Sequence, residues 1–263
     1  QGPPAFILAD PVEPMSAAWS PDSRWLALGG IRGLATLERG AGERRQLTTS
    51  SWQYPVGFSA DGQRLVTQDR TADPRQVFNV WTLPDGRLDR TFELPERSRV
   101  WMGGDRLLTL TFDSPEPLRP RSIPVRALSL DGRTQHELGL WRPRGQVAVD
   151  VDPSGSFLFS LQSGRLVQQR LDDLTEPGRV IGTHEGAARF DVRPWRDRAI
   201  TVDGAGELRV WDVPAARLER TLQIPRDTLS IALDPRGRFL AAAKALMTTR
   251  SVFLFDLAAP RTA

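Results

Sequence analysis

The chain has 263 residues, enough for one large domain or two small ones, and its apolar share of 40% can bury a core without covalent staples. It contains no cysteine, two histidines, one tyrosine and a single lysine, Lys244. That excludes disulfides, thiolate chemistry and cysteine-ligated metal, and leaves little for acid–base or Schiff-base catalysis. The net charge is only +3 while the pI is 10.3, because 34 arginines face 32 carboxylates and a guanidinium stays protonated far above pH 10. The charges are interspersed rather than blocked, which reads as the Arg-for-Lys bias of a GC-rich genome and makes nucleic acid an unexpected partner. No apolar run approaches the roughly 20 residues that a membrane-crossing helix needs; Phe239–Ala243 and Val252–Leu257 are strand-length. The first residue is Gln1 rather than Met, so the expectation is a processed mature form or an excised fragment of a bacterial protein, either exported to the periplasm or cytoplasmic.

Along the chain, the segment around Phe6–Ala9 reads as a lone strand, and then one phrase recurs. It is Ser20-Pro-Asp-Ser-Arg-Trp-Leu-Ala27, then Ser59-Ala-Asp-Gly-Gln-Arg-Leu-Val66, a worn copy at Trp101-Met-Gly-Gly-Asp-Arg-Leu-Leu108, then Asp152-Pro-Ser-Gly-Ser-Phe-Leu-Phe159, Arg193-Pro-Trp-Arg-Asp-Arg-Ala-Ile200 and Asp234-Pro-Arg-Gly-Arg-Phe-Leu-Ala241. The starts are spaced by 39, 42, 51, 41 and 41 residues, the period of four-stranded propeller blades. Each unit has an inner strand before the turn and a second strand after it. A third strand follows (Val77–Leu83, Glu207–Val213, Ser251–Leu257), then a polar fourth one (Arg45–Thr49, Leu88–Leu94, Leu218–Ile224). Period-2 alternation is clear in Leu208-Arg-Val-Trp-Asp-Val213, and no helical period is sustained.

The fold expected is therefore all-β: one domain over residues 1–263, a six-bladed propeller of four-stranded antiparallel blades at about 11–50, 51–95, 96–140, 141–182, 183–225 and 226–263. The sixth repeat supplies only three strands, so residues 5–9 are expected to pair with Ser251–Leu257 and close the ring, leaving no open sheet edge at the seam. The long interval comes from Thr111–Pro124, too rich in proline for a central strand. It is expected as an extended loop between the second and third strands of blade 3, either a tolerated surface insertion or a docking arm. A shorter version falls at Gln68–Gln76.

Leu208-Arg-Val-Trp-Asp212 resembles the closing strand of a WD40 repeat, with Phe78-Asn-Val-Trp-Thr82 a weaker copy. Ala18-Trp-Ser-Pro-Asp-Ser-Arg-Trp-Leu-Ala27 resembles the first turn of such a blade. Arg44-Arg-Gln-Leu-Thr48 leading into Val56-Gly-Phe-Ser-Ala-Asp-Gly62 is also similar to repeats of TolB-type propellers. The resemblance covers nearly the whole chain and implies a divergent bacterial member of the WD40-like propellers. It also implies a His–Ser/Thr–Asp–Trp hydrogen-bonded tetrad in the fifth repeat, where His184, Thr201 and Trp211 match while Ala205 stands at the Asp position and Asp203 lies two residues away.

Chemistry-bearing clusters are sparse. His184 is expected to be structural and His136 solvated; neither has a second His or Cys at metal-ligand spacing. Asp150-Val-Asp-Pro-Ser154 has the alternating oxygens of a calcium loop without its glycine or bidentate glutamate. No cofactor or metal is expected. Trp19, Trp25, Trp81 and Trp211 fall within strands and are expected in the core. Trp52 and Trp141 fall in connections between blades, which a propeller gathers on one face with Tyr54, Arg97, Arg99, Arg142, Arg144, His184 and Arg226. Aromatic and arginine groups together are the composition of binding hot spots. The function expected is a non-catalytic, monomeric protein-interaction scaffold. Trp52, Tyr54 and Trp141 would serve as anchors, and Arg99, Arg142 and Arg144 would pair with carboxylates of an acidic partner. The alternative is a propeller, possibly enzymatic, that binds a small ligand, sugar or metal at the channel mouth; carboxylates converging on the axis would favour it.

Overall fold

The computed structural model describes residues 6–8, 11–40, 43–49, 52–71, 76–94, 98–111, 122–131, 133–143, 147–193, 197–226, 228–234, 236, 238–245 and 250–257. They form six antiparallel four-stranded sheets and no helix. Blade 1 comprises β2 (Pro14–Trp19), β3 (Trp25–Gly30), β4 (Gly33–Glu38) and β5 (Arg44–Thr48). Blade 2 comprises β6 (Gln53–Phe58), β7 (Arg64–Asp69), β8 (Gln76–Thr82) and β9 (Arg87–Leu94); blade 3, β10 (Ser98–Gly103), β11 (Arg106–Thr111), β12 (Ile123–Ser129) and β13 (Gln135–Trp141). Blade 4 comprises β14 (Val147–Val151), β15 (Phe157–Gln162), β16 (Arg165–Arg170) and β17 (Arg179–Thr183); blade 5, β18 (Ala187–Arg193), β19 (Arg198–Asp203), β20 (Glu207–Asp212) and β21 (Arg217–Gln223). Blade 6 takes β22 (Thr228–Leu233), β23 (Phe239–Ala245) and β24 (Arg250–Asp256) from one end of the chain and β1 (Phe6–Leu8) from the other. The expected seam is present: Phe6 partners Leu254, Ile7 partners Phe253 and Leu8 partners Val252.

The blades have no private cores. Buried apolar side chains fall into six clusters, each spanning the space between two neighbouring sheets. Blades 1 and 2 share Ala18, Trp25, Leu34, Phe58, Leu65 and Trp81; blades 2 and 3 share Val66, Phe78, Val80, Met102 and Leu107. Trp141, Val149, Leu158 and Leu174 fill the next gap, Phe159, Ile181, Ala199 and Trp211 the one after, and Ile200, Val210, Leu233 and Leu240 the fifth. The seam holds Val12, Trp19 and Leu28 of blade 1 against Ala232, Ala241 and Val252 of blade 6. Trp19, Trp25, Trp81 and Trp211 are all buried, as their strand positions require.

The repeated turn phrase is a hydrogen-bonded device at the lower end of the ring, where inner strands finish. Ser20 Oγ donates to Asp22 at 2.6 Å while accepting the Trp25 N–H at 2.8 Å, and the Arg24 N–H also reaches Asp22. Ser59 and Asp61 repeat the pattern, and the Ser59 hydroxyl, with the Gln63 N–H, holds the Asp61 carboxyl below the ordinary carboxylate range. Asp152 caps the N–H groups of Ser156 and Phe157, and Asp234 those of Arg238 and Phe239. Asp234 is fully buried and also accepts Ser23 Oγ from blade 1 at 3.1 Å, a polar lock across the seam. Phe239 lies there between the guanidinium groups of Arg39 and Arg238, 5.0 and 4.9 Å from its centroid.

A second device explains part of the arginine excess. A fourth-strand arginine reaches a backbone carbonyl at the lower end of the next blade at four interfaces: Arg45 to Pro84, Arg90 to Asp131 at 3.1 Å, Arg179 to Pro214 at 2.6 Å and Arg220 to Leu257 at 2.7 Å. A planar, permanently charged fork suits bonds to carbonyls that strand pairing leaves over.

One expectation needs refining. Ile123 and Pro124, read as part of the blade 3 insertion, belong to β12, and residues 112–121 lie outside the described residues. Pro124 is tolerated because it partners Leu140 of β13 only, while the β11 ladder stops at Leu110–Val125.

Two outcomes are expected. Removing residues 1–8 unpairs β24 and should lower the thermal midpoint by roughly 5–10 °C, equivalent to about 2–3 kcal/mol in a domain of this size; an unchanged midpoint in a calorimetric scan would refute the seam. Arg220→Met keeps the apolar stem and removes the bond to Leu257, and should cost about 1.5–3 kcal/mol in urea unfolding.

Candidate interaction face

The register defines the upper end of the ring, where inner strands begin. Gln53 is opposite Asp69, Ser98 opposite Thr111 and Ile123 opposite Trp141. The Trp52 carbonyl accepts the Arg70 N–H at 2.8 Å. The connections between blades and those between second and third strands therefore share this end.

Of the six residues expected to contact a partner, four are placed at this end and accessible. Trp52 and Tyr54, both half-buried, open the inner strand of blade 2; the Trp52 indole N–H is buried and has no hydrogen-bond partner among the described residues. Arg99 is exposed at the second position of β10, and the protein around it partly desolvates its charge, lowering its pKa from the ordinary arginine value. Arg142 is exposed immediately after β13. Arg144 lies outside the described residues.

Trp141 is a correction. It is the last residue of β13, not part of a connection, and at 1% exposure it is packed between blades 3 and 4, so it cannot anchor a partner. The cause is a β-bulge. Val125 pairs with Gly139 but Arg126 pairs with Glu137, so Leu138 is the extra residue. Gly139, at φ +136°, then reverses the alternation that the two leucines suggest. Leu138 faces the core, Leu140 faces solvent, and Trp141 turns inward.

Ile31, 38% exposed in the tight Gly30–Gly33 turn of blade 1, also belongs to this end. A lone apolar residue inside a glycine-rich turn was the available signal. The neighbouring Arg32 is tied to Glu13 at 2.7 Å.

His184 is structural, as expected. It is 1% exposed; its Nδ1 contacts Thr201 Oγ1 at 2.7 Å, and the Trp211 indole N–H donates to the same hydroxyl at 2.9 Å. Asp203 and Glu207 stand 3.9 and 3.8 Å from Nε2, beyond hydrogen-bond reach, so the fourth member of the tetrad is loose. Gly182 makes the approach possible, because a Cβ there would lie 2.2 Å from the Trp211 ring. Blade 2 builds the same chain without a histidine. Thr67 Oγ1 donates to Gln53 Oε1 at 2.5 Å and accepts the Trp81 indole N–H at 3.0 Å, while Asn79 adds a contact to Gln53 and accepts Thr91 Oγ1. The Thr201–Trp211 pair of blade 5 was visible in the sequence; its counterpart Thr67–Trp81 in blade 2, and Gln53 in the place of His184, were not.

The channel cavity opens toward the lower end, between Trp19, Phe58, Trp101, Met102, Asp150 and Pro153. Its volume is about 70 Å³, room for about two waters against the roughly 300–1,000 Å³ of a small-molecule site. The carboxylates that could have served it are engaged. Asp150 accepts the Val151 N–H, and Asp152 and Asp234 cap turns. The Asp191 side chain lies outside the described residues, among which no three metal-ligating groups converge.

Burial, with the Arg209 charge second, lowers the His184 pKa against the opposing pull of Asp203 and Glu207, so the native ring is neutral. An unfolded histidine protonates near 6.5, so this contribution is complete above that pH and is lost as pH falls below it. His184→Gln, copying blade 2, should retain stability at pH 7.5 and lose less than the parent chain by pH 5.5 in thermal melts. His184→Ala should cost about 1–3 kcal/mol at pH 7.5, leaving Thr201 without its partner.

No family model matches the chain, and no curated protein matches it in sequence. Solved structures match its fold. The Cps50 (Swd1) β-propeller domain of Myceliophteria thermophila superposes with a TM-score of 0.70 at 14% identity, over 97% of this chain and 99% of that one. A chain of the mitotic checkpoint complex superposes with a TM-score of 0.61 at 13% identity, over 98% of this chain and 92% of that one. Likeness at such identity establishes the β-propeller fold.

Proposed function

We propose that this chain is a non-catalytic WD40-like propeller of bacterial type, akin to TolB-type rings, that holds a protein partner on its upper end. The observation that carries the reading is the unequal use of the two ends. At the lower end the turn aspartates Asp152 and Asp234 and the arginines at 45, 90, 179 and 220 are engaged in turns and clamps. The channel cavity is too small for a sugar, and in the wider hollow of about 680 Å³ beside β17 Asp172 is already paired with Arg170. At the upper end two half-buried aromatics, an exposed isoleucine and two exposed arginines are presented from blades 1 to 3. Aromatic and arginine groups held at the ends of packed strands suit association with little change of shape. A structural neighbour belongs to a protein complex by its own description, which supports a protein as the ligand class. Arg99 and Arg142 favour an acidic partner surface.

The test is quantitative capture from the native cell. The variant Trp52→Ala/Tyr54→Ala/Arg99→Ser/Arg142→Ser should retain less than about a tenth of the partner. A lower-end control, Arg87→Ser/Arg133→Ser, should retain it fully, with circular dichroism showing both folded. Loss of the partner by the control, or its retention by the upper-end variant, would reject this face.

A further inference from the structure

The sheet register brings four side chains together at one corner of blade 2. Tyr54 is opposite Gln68, and the bond from the Arg70 N–H to the Trp52 carbonyl at 2.8 Å carries the same ladder past Gln53 and Asp69. Side chains alternate between the two faces of a strand, and directly opposed residues share a face. Trp52, Tyr54, Gln68 and Arg70 therefore stand on one face at the upper end. That face turns toward blade 3, because Phe78, opposite Gln68, lies in the apolar layer shared with Met102 and Leu107. Going up, it passes from Val66 and Phe78, at 0 and 1% exposure, through half-buried Tyr54, Gln68 and Trp52 to exposed Arg70.

The charge at this corner is not neutralised. Asp69 sits on the opposite face with Gln53, and its carboxylate is held by the N–H and hydroxyl of Thr71 at 2.9 and 2.5 Å. Arg70 forms no ion pair among the described residues. Its side chain donates one bond, to Gln68 Oε1 at 3.3 Å, which leaves most of the guanidinium fork unused. An aromatic ring and a guanidinium directly opposite one another have Cβ atoms about 5 Å apart. They fit an apolar group and a carboxylate at the same short spacing. Along an extended segment, residues that share a face are about 6.8 Å apart, and adjacent residues face opposite ways. A C-terminal apolar residue carries both groups on one Cα, and the planar fork of an arginine suits its carboxylate.

We infer that this corner of blade 2 captures the free C-terminus of the partner, with the α-carboxylate on Arg70, the Tyr54 hydroxyl as a further donor, and an apolar last side chain against the Trp52 ring. This rests on the scaffold reading and names the element of the partner that the face takes.

An NMR titration of the isotope-labelled protein, read at the Trp52 indole, tests it with the peptide Gly-Ser-Gly-Ser-Leu as free acid and as C-terminal amide. The expected result is a saturable shift with the free acid, and binding at least about tenfold weaker for the amide and for Arg70→Ser. A free acid ending in Ser instead of Leu should bind as poorly as the amide. Arg70 is exposed, so its replacement should leave the circular dichroism spectrum unchanged. Absence of saturable binding by the free acid overturns the inference, as does equal binding of acid and amide or undiminished binding by Arg70→Ser. Amidated Gly-Glu-Gly-Leu-Gly binding as well as the free acid overturns it in favour of an internal acidic residue. Thymidine monophosphate binding more tightly than the peptide overturns it in favour of a nucleotide. If Trp52→Ala/Tyr54→Ala abolishes partner capture while Arg70→Ser leaves it intact, the interaction face stands and the C-terminus inference fails. If neither variant affects capture, both fail.

Discussion

Everything in this molecule depends on sheet-on-sheet packing between neighbouring blades. Each four-stranded sheet buries both faces against its neighbours, so no blade has a core of its own to fold around. The six apolar layers form a continuous ring, and that continuity explains features that otherwise look unrelated. Tryptophan recurs on third strands because a large flat ring fills the widening gap between two splayed sheets. Gly182 faces Trp211 because the indole needs the space of a Cβ. The seam between blades 1 and 6 is reinforced by a shared buried carboxylate and by a phenylalanine held between two guanidiniums.

Polar groups follow the same geometry. A serine or threonine hydroxyl on the second strand, buried between sheets, must find partners. In blades 2 and 5 it finds them in a tryptophan N–H on one side and in Gln53 or His184 on the other. Two different residues do one task because the hydroxyl needs only a side-chain oxygen or nitrogen at the right depth. The fourth strands face a related demand, since their neighbours' turns present carbonyls that no ladder uses. Arginine meets it at four interfaces. A composition that suggests a genomic bias has thus been put to structural use, with the long fork bridging one blade to the next.

This division also explains what could be read from the sequence. Strand positions, blade period and seam were legible because period-2 alternation and the Ser/Asp turn phrase are local signals, repeated six times. The placement of Trp52, Tyr54, Arg99 and Arg142 at the upper end was legible, because chain connections at a propeller's end follow from topology alone. Trp141 was not legible. Leu138 and Leu140 set an apparent alternation, and a bulge opposite Val125 and Arg126, with Gly139 at positive φ, reverses it. A bulge is a property of two strands together, and one strand's pattern does not reveal it. The role of Gln53 was hidden for a similar reason: its partners Thr67 and Asn79 lie on other strands, and glutamine has no preferred station in the repeat.

The pairing of Phe6 with Leu254 joins residues separated by nearly the whole length described, and it has a kinetic meaning. Hairpins within blades 1 to 5 form from neighbours in sequence, and each new blade can add to the last. The seam alone requires both ends of the chain to be present, and long-range contacts of this kind form late because loop closure must precede any gain from them. Until then β24 keeps an unpaired edge and blade 1 an uncovered face, so the interval between completing blade 5 and closing the ring is when the chain is most exposed to pairing with a neighbour's strand. The same seam that makes the finished ring free of an open junction sets the period of greatest risk in its making.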